Sequence, residues 1–353
     1  MNLLERTLLA VREPDMALAG PVARRLDSLT KPQGSLGRLE EIALRYCLAR
    51  GTAMPEPGPK KIVCMAADHG VAEEGVSAYP QAVTAQMVAN MLAGGAAINV
   101  LARHTGAELE LVDMGVAADL SRMAGLRSCR IRAGSNNIAR GPAMSVEEAV
   151  RAVETGISIA REAASGGFAL LGTGDMGIAN TTPSSALFAA LLPCRPAEVA
   201  GRGTGVDDAG LQRKLATIEK ALSVNRPRLG DPLSALAALG GFEIAGIAGL
   251  IIGGAAFRLP VVVDGFISSA AALCAIRMNP AVARYIFFSH VSAEAGHRFV
   301  MDRIGERPVL DLSMRLGEGT GAAIAMSVIE AALKLYREMA TFDSAGVSSR
   351  EGA

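Results

Sequence analysis

The sequence predicts an α/β fold in which a parallel β-sheet is covered by helices on both faces. Short runs of apolar, β-branched residues are typical of buried strands, and longer amphipathic segments are typical of helices. The two kinds of segment alternate along most of the chain, and the strand segments are apolar almost throughout. This combination indicates parallel strands that are buried on both faces of the sheet.

The predicted elements follow in chain order. Strands are predicted at 61–70, 109–116, 168–182, 259–266 and 285–290. Helices are predicted at 84–103, 145–165, 182–192, 208–223, 233–239, 243–256, 267–277 and 318–340. Residues 1–50 contain helical segments but no strand signal, so we expect the two chain ends to meet beside the sheet. The predicted domains are therefore a large α/β domain (51–317), a small helical domain (1–50 with 318–345) and a frayed tail (346–353).

Composition narrows the class of protein. Of the 353 residues, 50% are apolar and 20% are charged, which predicts a large core rather than disorder. Because the 35 basic residues equal the 35 acidic ones, nothing favours nucleic acid or an anionic membrane as a partner. The five scattered cysteines predict reduced thiols, and no secretion signal opens the chain, so we expect a cytoplasmic protein. The apolar run 245–257 is too short to span a bilayer and predicts a tightly packed core helix.

The predicted strands all end in glycine and polar residues. In open parallel sheets, ligands bind beyond the carboxyl ends of the strands, so these endings together predict one shared cleft. The loop after the third strand, GDMGIANTT (174–182), is the most informative of them. Backbone N–H groups and threonine hydroxyls at a helix start form an anion site, but Thr181 or Thr182 could equally cap the helix. From this loop alone, the two interpretations are about equally favoured.

Two further glycine-rich segments carry candidate charges. Lys214 follows the loop 201–205, where it could neutralise a bound phosphate or be an ordinary solvated lysine. Glu318 lies among glycines before a long helix, where it could cap that helix or act as a general base with a raised pKa. The four histidines lack metal-ligand spacing, so we predict no metal and no cofactor, although His69 and His290 end strands and could bind substrate.

Six motifs together resemble the nicotinate-nucleotide–dimethylbenzimidazole phosphoribosyltransferase family, from the first helices to about residue 340. They are LDSLTKPQGSLGRLEEIA (26–43), MAADHGVAEEGVSAYP (65–80), LLGTGDMGIANTTPSSAL (170–187), LGGFEIAGIAGLIIGGAAFRLPVVVDGFISSAAAL (239–273), SHVSAEAGH (289–297) and RLGEGTGAA (315–323). The resemblance implies a homodimer whose chains each have a Rossmann-like, six-stranded parallel sheet and a small helical bundle. It also implies nicotinate mononucleotide and an aromatic base as substrates.

The resemblance assigns roles to individual residues. It makes Glu318 the general base that takes the N–H proton of the attacking base, with the Asp175 carboxylate near the ribose. The positions matched to phosphate and nucleotide binding are Gly177, Asn180, Thr181, Thr182, Gly203, Lys214, Asp264, Gly265, Ser292, Leu316 and Gly317.

The chain departs from the family pattern at four positions. Asp175 replaces a glutamate, which keeps the carboxylate but shortens its reach. Tyr79, Met87 and Met176 replace a small hydroxyl residue, an amide residue and a leucine at the base-contacting positions. Since methionine adapts to irregular shapes, these changes predict a base pocket that accepts more than one ring, phenols included. A non-catalytic subunit of a heteromeric phosphoribosyltransferase remains the alternative, favoured only by Asp175.

Overall fold

The computed structural model describes residues 1–203 and 205–348, and its centre is a six-stranded sheet in which all neighbouring strands are parallel. The strands are β1 Lys60–Ala67, β2 Ala107–Gly115, β3 Leu126–Ser128, β4 Leu170–Met176, β5 Val261–Val263 and β6 Ile286–Phe288. Their order is β3-β2-β1-β4-β5-β6. The five strands predicted from apolar runs are confirmed. The sequence pattern missed β3 because this edge strand is partly exposed and lacks the apolar run of the equally short, fully buried β5 and β6.

Helices cover both faces of the sheet. They are α1 Leu3–Ala10, α2 Ala19–Ser28, α3 Arg38–Arg50, α4 Val83–Leu92, α5 Ala97–Thr105, α6 Val146–Ser165, α7 Thr181–Leu191, α8 Pro196–Val199, α9 Asp208–Asn225, α10 Pro232–Leu239, α11 Phe242–Ala256, α12 Phe266–Met278, α13 His297–Ile304, α14 Thr320–Glu338 and α15 Phe342–Ala345. Short 3₁₀ turns lie at Met16–Leu18, Gly70–Glu74, Arg226–Arg228 and Pro280–Tyr285.

The single helix predicted at 84–103 is wrong, because a turn at Gly94-Gly95 separates α4 from α5. Gly94 has a φ of 81°, a left-handed conformation that favours glycine and ends the helix there. Residues 83–105 have the length and composition of a membrane-crossing helix. Since they form two separate helices, they do not provide one continuous span.

Successive side chains of β1 enter different apolar layers. Val63 and Met65 pack with the layer that includes α6, α11 and α12, while Ile62 and Cys64 pack with the layer that includes α3 and α14. This alternation follows from the two-residue period of a strand. It explains why the strand segments are apolar throughout.

Glycines on both α6 and α11 allow these two helices to pack closely. A Cβ atom added to Gly156 would lie 1.9 Å from the carbonyl oxygen of Gly246, and one added to Gly249 would lie 1.9 Å from that of Val153. The two backbones therefore approach each other at positions where any larger residue would clash. The predicted tightly packed core helix is confirmed.

The two chain ends are in contact. Arg25 on α2 donates to the carbonyl oxygens of Tyr336 and Arg337, at 2.9 and 2.8 Å. After α14 ends at Glu338, the short helix α15 follows, and Thr341 caps its first turn. The separation into a large and a small domain remains a prediction, and residues 349–353 of the predicted tail lie outside the described residues.

Candidate active site

A cavity of about 490 Å³ lies beyond the carboxyl ends of β4, β5 and β6. The sheet order reverses between β1 and β4, the topological switch point where open α/β sheets bind ligands. Helix α4 and the turn 315–318 complete the walls. The predicted site residues that line this cavity are Tyr79, Met87, Asp175, Met176, Gly177, Asn180, Thr181, Gly203, Gly265, Ser292, Leu316, Gly317 and Glu318.

The ends of β1 and β2 do not join this cavity, so the expectation that all strand ends share one cleft is wrong for these two. His69 Nε2 lies 2.6 Å from Glu243 Oε1 in a fully buried pair. Asp113 Oδ1 accepts the backbone N–H groups of Gly115 and Val116 at 2.9 and 2.8 Å. These side chains hold the turns after their strands.

Glu318 lies on a turn pressed against the end of β4. Its φ of 63° is left-handed, and the flanking Gly317 and Gly319 have φ values of 85° and 94°. Its backbone N–H donates to the carbonyl oxygen of Asp175 at 3.2 Å. A Cβ atom added to Gly174 would lie 2.5 Å from the Glu318 carbonyl oxygen, so only glycine permits this approach. The strained, tightly held turn directs the carboxylate into the cavity.

The Glu318 carboxyl group has the environment of a base. It is 5% exposed, and its Oε2 atom has no hydrogen-bond partner within residues 1–203 and 205–348. Burial raises the pKa of Glu318, the Ile98 backbone N–H partly lowers it, and the Asp264 carboxylate raises it further. A base with a raised pKa and a free oxygen binds a proton readily.

Asp264 caps the helix that follows Glu318. Its Oδ2 accepts the N–H of Gly319 at 3.0 Å, and its Oδ1 accepts those of Gly321 and Ala322 at 2.9 and 3.1 Å. The carboxylate is fully buried and does not line the cavity. Because Asp264 fills the capping role, the interpretation of Glu318 as the cap of this helix is wrong.

Asp175 lies at the end of β4, beside Glu318. Its Oδ2 accepts the side-chain N–H of Asn180 at 2.9 Å, and its Oδ1 has no partner in the described part of the chain. Burial raises the pKa of Asp175 well above its usual range, and the Asp264 carboxylate adds to this, against a smaller opposing effect from Asn180. The cavity floor therefore holds closely spaced, poorly solvated carboxyl groups.

The predicted phosphate loop begins α7 but is not closed by a threonine cap. The residue before the helix is Asn180, and no side chain among the described residues caps it. The N–H groups of Ile178, Asn180 and Thr182 already donate to Thr84 Oγ1, Gly177 O and Ala179 O. Thr182 is fully buried behind the cavity. The threonine-cap interpretation is thus wrong, and Thr181 is the threonine that faces the cavity.

Lys214 lies directly behind Thr181. Its ammonium group donates to Thr181 Oγ1 at 2.8 Å and to the Gly201 carbonyl oxygen at 3.0 Å. The side chain is fully buried, so the interpretation of a solvated surface lysine is wrong. Burial lowers its pKa to about 8, although the Glu294 carboxylate acts in the opposite direction. This ammonium adds positive charge behind the cavity wall without itself lining the cavity.

Two charged residues of this region were not predicted from the sequence. Glu294 Oε1 accepts the Gly203 N–H at 2.9 Å and lies 3.9 Å from the Lys214 ammonium. Arg315 donates to the Gly203 carbonyl oxygen at 3.0 Å. Both line the cavity and hold the second glycine-rich loop. Both residues lie within family-like motifs, SAEAGH and RLGEG, and this position was the sequence signal that could have identified them as site residues.

Ser292 is fixed by a buried histidine. Its backbone N–H donates to His297 Nδ1 at 2.9 Å, so His297 must carry its proton on Nε2, which lies 2.9 Å from Ser269 Oγ. Burial lowers the pKa of His297 to about 3. A neutral histidine therefore keeps Ser292 on the cavity wall.

The predicted base-binding residues form the more open end of the cavity. Tyr79 is 54% exposed, while Met87 and Met176 are half-buried. Val83 and Ile178 add further apolar wall. Among the residues described, no group of three or more His, Cys, Asp or Glu side chains could hold a metal ion.

Comparison with known proteins identifies the family. A family profile described as "Phosphoribosyltransferase" matches residues 11–347. The nicotinate-nucleotide–dimethylbenzimidazole phosphoribosyltransferase of Chlorobaculum parvum is 59% identical over 98% of each chain, and that of Geotalea uraniireducens is 54% identical over 99% of this chain and 100% of its own. The crystal structure of CobT from Thermus thermophilus matches with a TM-score of 0.90 at 47% identity, covering 94% of this chain and 99% of that one. The chain therefore belongs to the nicotinate-nucleotide–dimethylbenzimidazole phosphoribosyltransferase family and is a phosphoribosyltransferase.

Proposed function

We propose that this enzyme transfers the 5-phosphoribosyl group of nicotinate mononucleotide to 5,6-dimethylbenzimidazole or a related aromatic base. The products are α-ribazole 5′-phosphate and nicotinate, for assembly of the cobamide nucleotide loop. The observation that carries the proposal is the Glu318 carboxyl group, buried at the cavity wall with one free oxygen and a raised pKa. The family names support the substrates.

The reaction is a displacement at C1′ of the ribose. A ring nitrogen of the base forms a bond to C1′ from the face opposite nicotinate, which gives the α configuration. The C1′–N bond of the nucleotide breaks, and its electron pair returns to the pyridine nitrogen of nicotinate. Glu318 takes the N–H proton of the base as the new bond forms and later releases it to solvent.

Asp175 and the phosphate end assist this step in different ways. Positive charge develops on the ribose ring as nicotinate leaves, and Asp175 stabilises it electrostatically once its carboxyl group, whose pKa is raised, has ionised. Thr181 and Ser292, with Lys214 behind Thr181 and the Gly203 loop on the same cavity wall, bind the phosphate and so orient C1′ towards Glu318. The shorter side chain of Asp175 is compatible with this role, since charge stabilisation does not require direct contact.

The acceptor end supports a second candidate substrate, a phenol. Tyr79 can stack on an aromatic ring and donate its hydroxyl to a polar substituent, while Met87 and Met176 adapt to different ring edges. A phenol attacks through oxygen, and Glu318 then removes the O–H proton directly. We further propose that the enzyme is a cytoplasmic homodimer, which the family resemblance and the scattered cysteines support.

Assay of the purified chain alone, with nicotinate mononucleotide and 5,6-dimethylbenzimidazole, tests the proposal. The expected result is stoichiometric formation of nicotinate and α-ribazole 5′-phosphate, identified by mass spectrometry and NMR of the anomeric proton. Absence of product with every base of a panel, restored only by a second, unlike subunit, would instead support the heteromeric alternative. Light scattering on the same sample measures the oligomeric state.

A further inference from the structure

His290 lies on the cavity wall directly after β6, and its ring is rigidly held. The side chain is 1% exposed, yet it contacts the cavity. Its Nδ1 atom is 2.8 Å from Ser289 Oγ and 3.9 Å from Asp264 Oδ1. The proposed reaction as described above does not use this residue.

Glycines on two neighbouring elements make the space for this ring. A Cβ atom added to Gly321, in the first turn of α14, would lie 2.0 Å from His290 Nδ1. One added to Gly265, after β5, would lie 3.2 Å from Cε1 and 3.3 Å from Nε2. The ring is thus enclosed between the two turns, and its position is set by backbone rather than by a flexible neighbour.

The Nε2 atom of His290 has no hydrogen-bond partner among residues 1–203 and 205–348. A buried polar atom without a partner is unfavourable, and such atoms in a binding cavity are commonly satisfied by a ligand. His69 Nδ1 is also unpaired, but His69 does not line the cavity. His290 is therefore the histidine that has both a free nitrogen and access to the substrate.

The place of His290 on the wall indicates which part of the substrate it meets. Gly265 and Ser292 are its neighbours there, and Glu318 and the proposed phosphate donor Thr181 line the same cavity. In the proposed binding mode the phosphate lies at Thr181 and C1′ faces Glu318, so the ribose hydroxyls meet the wall that connects these two residues. Ser289 Oγ can donate to Nδ1 or accept from it, so Nε2 is either acceptor or donor. A hydroxyl group can pair with both forms, whereas a phosphate oxygen pairs only with the donor.

We propose that His290 Nε2 forms a hydrogen bond with a ribose hydroxyl of the nucleotide and selects for ribonucleotides. The proposal rests on the proposed function and adds a substrate-contacting residue to it. The bond fixes the rotation of the sugar, so that C1′ presents one face to the attacking base. A site built to pair with a substrate hydroxyl rejects the analogue that lacks it, because the buried polar atom is then left unpaired.

The test compares nicotinate mononucleotide with its 2′-deoxy and 3′-deoxy analogues in wild type and two variants. In His290→Gln the amide nitrogen can take the place of Nε2, whereas in His290→Asn the shorter amide reaches only the Nδ1 position. We expect wild type to prefer the ribonucleotide over one deoxy analogue by roughly 10- to 100-fold in kcat/KM. His290→Asn should lose most of this preference, and His290→Gln should keep a substantial part of it. His104→Asn, a change at an exposed histidine on α5, is the control and should retain the wild-type ratio.

The ratio of kcat/KM for the ribonucleotide to that for a deoxy analogue separates loss of the contact from structural damage. A partly misfolded variant loses activity with all three nucleotides equally. An unchanged ratio in His290→Asn would overturn the proposal. Calorimetric affinities for the same nucleotides give the ratio without turnover, so the outcome does not depend on the identity of the acceptor base. If neither variant folds, ¹⁵N-histidine NMR of wild type decides. We expect the Nε2 resonance of His290 to shift with the ribonucleotide but not with one deoxy analogue, and identical shifts with all three nucleotides would refute the contact.

Discussion

The two ends of the cavity are built differently. At the phosphate end, the fully buried Lys214 ammonium donates to Thr181 Oγ1, and Glu294 holds the Gly203 N–H. At the base end, Tyr79 is 54% exposed and no hydrogen bond fixes the two thioether side chains of Met87 and Met176 among the described residues. One end is assembled before substrate arrives, whereas the other has side chains free to adjust.

This difference gives the two ends different roles in substrate selection. A preorganised anion site supplies binding energy and orientation at little entropic cost, because its donors are already in place. An apolar wall with methionines gives weak, adaptable contacts, which discriminate poorly between rings of similar size. We therefore expect nucleotide selection to be strict and base selection to be broad. The carboxyl groups between the two ends perform the chemistry.

The largest effect is expected for Glu318→Gln, which removes the base between the two ends. Turnover should fall by roughly 10²- to 10⁴-fold, the usual contribution of a general base, while affinity for nicotinate mononucleotide stays within about threefold. In wild type, turnover should decline as the pH falls through the raised pKa of Glu318, since the protonated form cannot accept a proton. Steady-state kinetics and calorimetry check both points.

Glu338→Gln is the matched control, because Glu338 is an exposed glutamate at the far end of the helix that follows Glu318. It should leave kcat unchanged. Near-normal turnover in Glu318→Gln would remove this residue from the mechanism.

A smaller effect is expected for Lys214→Met at the phosphate end. Removing the buried ammonium should weaken nucleotide binding by roughly 10- to 100-fold, the range for a charge-assisted contact, and leave the affinity for free base unchanged. Because the pKa of Lys214 is lowered to about 8, the wild-type KM for the nucleotide should rise as the pH increases through that value. The exposed Lys220 on the same helix provides the control variant Lys220→Met. Equal nucleotide affinity in all three proteins would contradict the assignment.

At the base end, the double variant Tyr79→Ser, Met87→Gln should change selectivity rather than activity. We expect the ratio of kcat/KM for 5,6-dimethylbenzimidazole to that for phenol to shift by about tenfold, the scale of apolar discrimination. The KM for nicotinate mononucleotide should remain within about threefold of wild type. A change in nucleotide KM as large as that of Lys214→Met would show that the two ends are not separate.

The smallest effect concerns stability at the cavity floor. The raised pKa of Asp175 means that the folded state favours its protonated form, so this group lowers stability progressively as the pH rises above the ordinary aspartate range. Asp175→Asn keeps an acceptor for Asn180 and removes this cost. We expect a gain of roughly 1–3 kcal/mol at pH 8, or a few degrees in Tm, and a smaller gain at pH 5.

The control for Asp175→Asn is Asp27→Asn, at an exposed position on α2. It should leave Tm unchanged at pH 5 and at pH 8. A lower Tm for Asp175→Asn at pH 8 would mean that the carboxylate is stabilised in the fold. Loss of turnover in the same variant is expected, since the charge that destabilises the folded state serves the reaction.

Sequence patterns predicted the sheet well but the site only in part. Apolar runs located five strands, whereas the partly exposed edge strand β3 has no apolar run. The glycine-rich turns marked where the cavity lies, but the depth of a side chain depends on distant elements. Thus Lys214, which the sequence allowed to be a surface residue, lies buried behind Thr181. Asp264, and not Glu318, caps the helix that follows Glu318. Tertiary contacts of this kind are invisible to local spacing.

Competition between acceptors tests the central contrast most directly. Wild type is given limiting nicotinate mononucleotide with equal concentrations of 5,6-dimethylbenzimidazole, 5-hydroxybenzimidazole and phenol, and the ribotides are quantified by mass spectrometry. The adaptable base end predicts at least two ribotides in comparable amounts, with proportions that change in the Tyr79→Ser, Met87→Gln variant. Exclusive formation of the dimethylbenzimidazole ribotide by both proteins would show that the base end is as strict as the phosphate end.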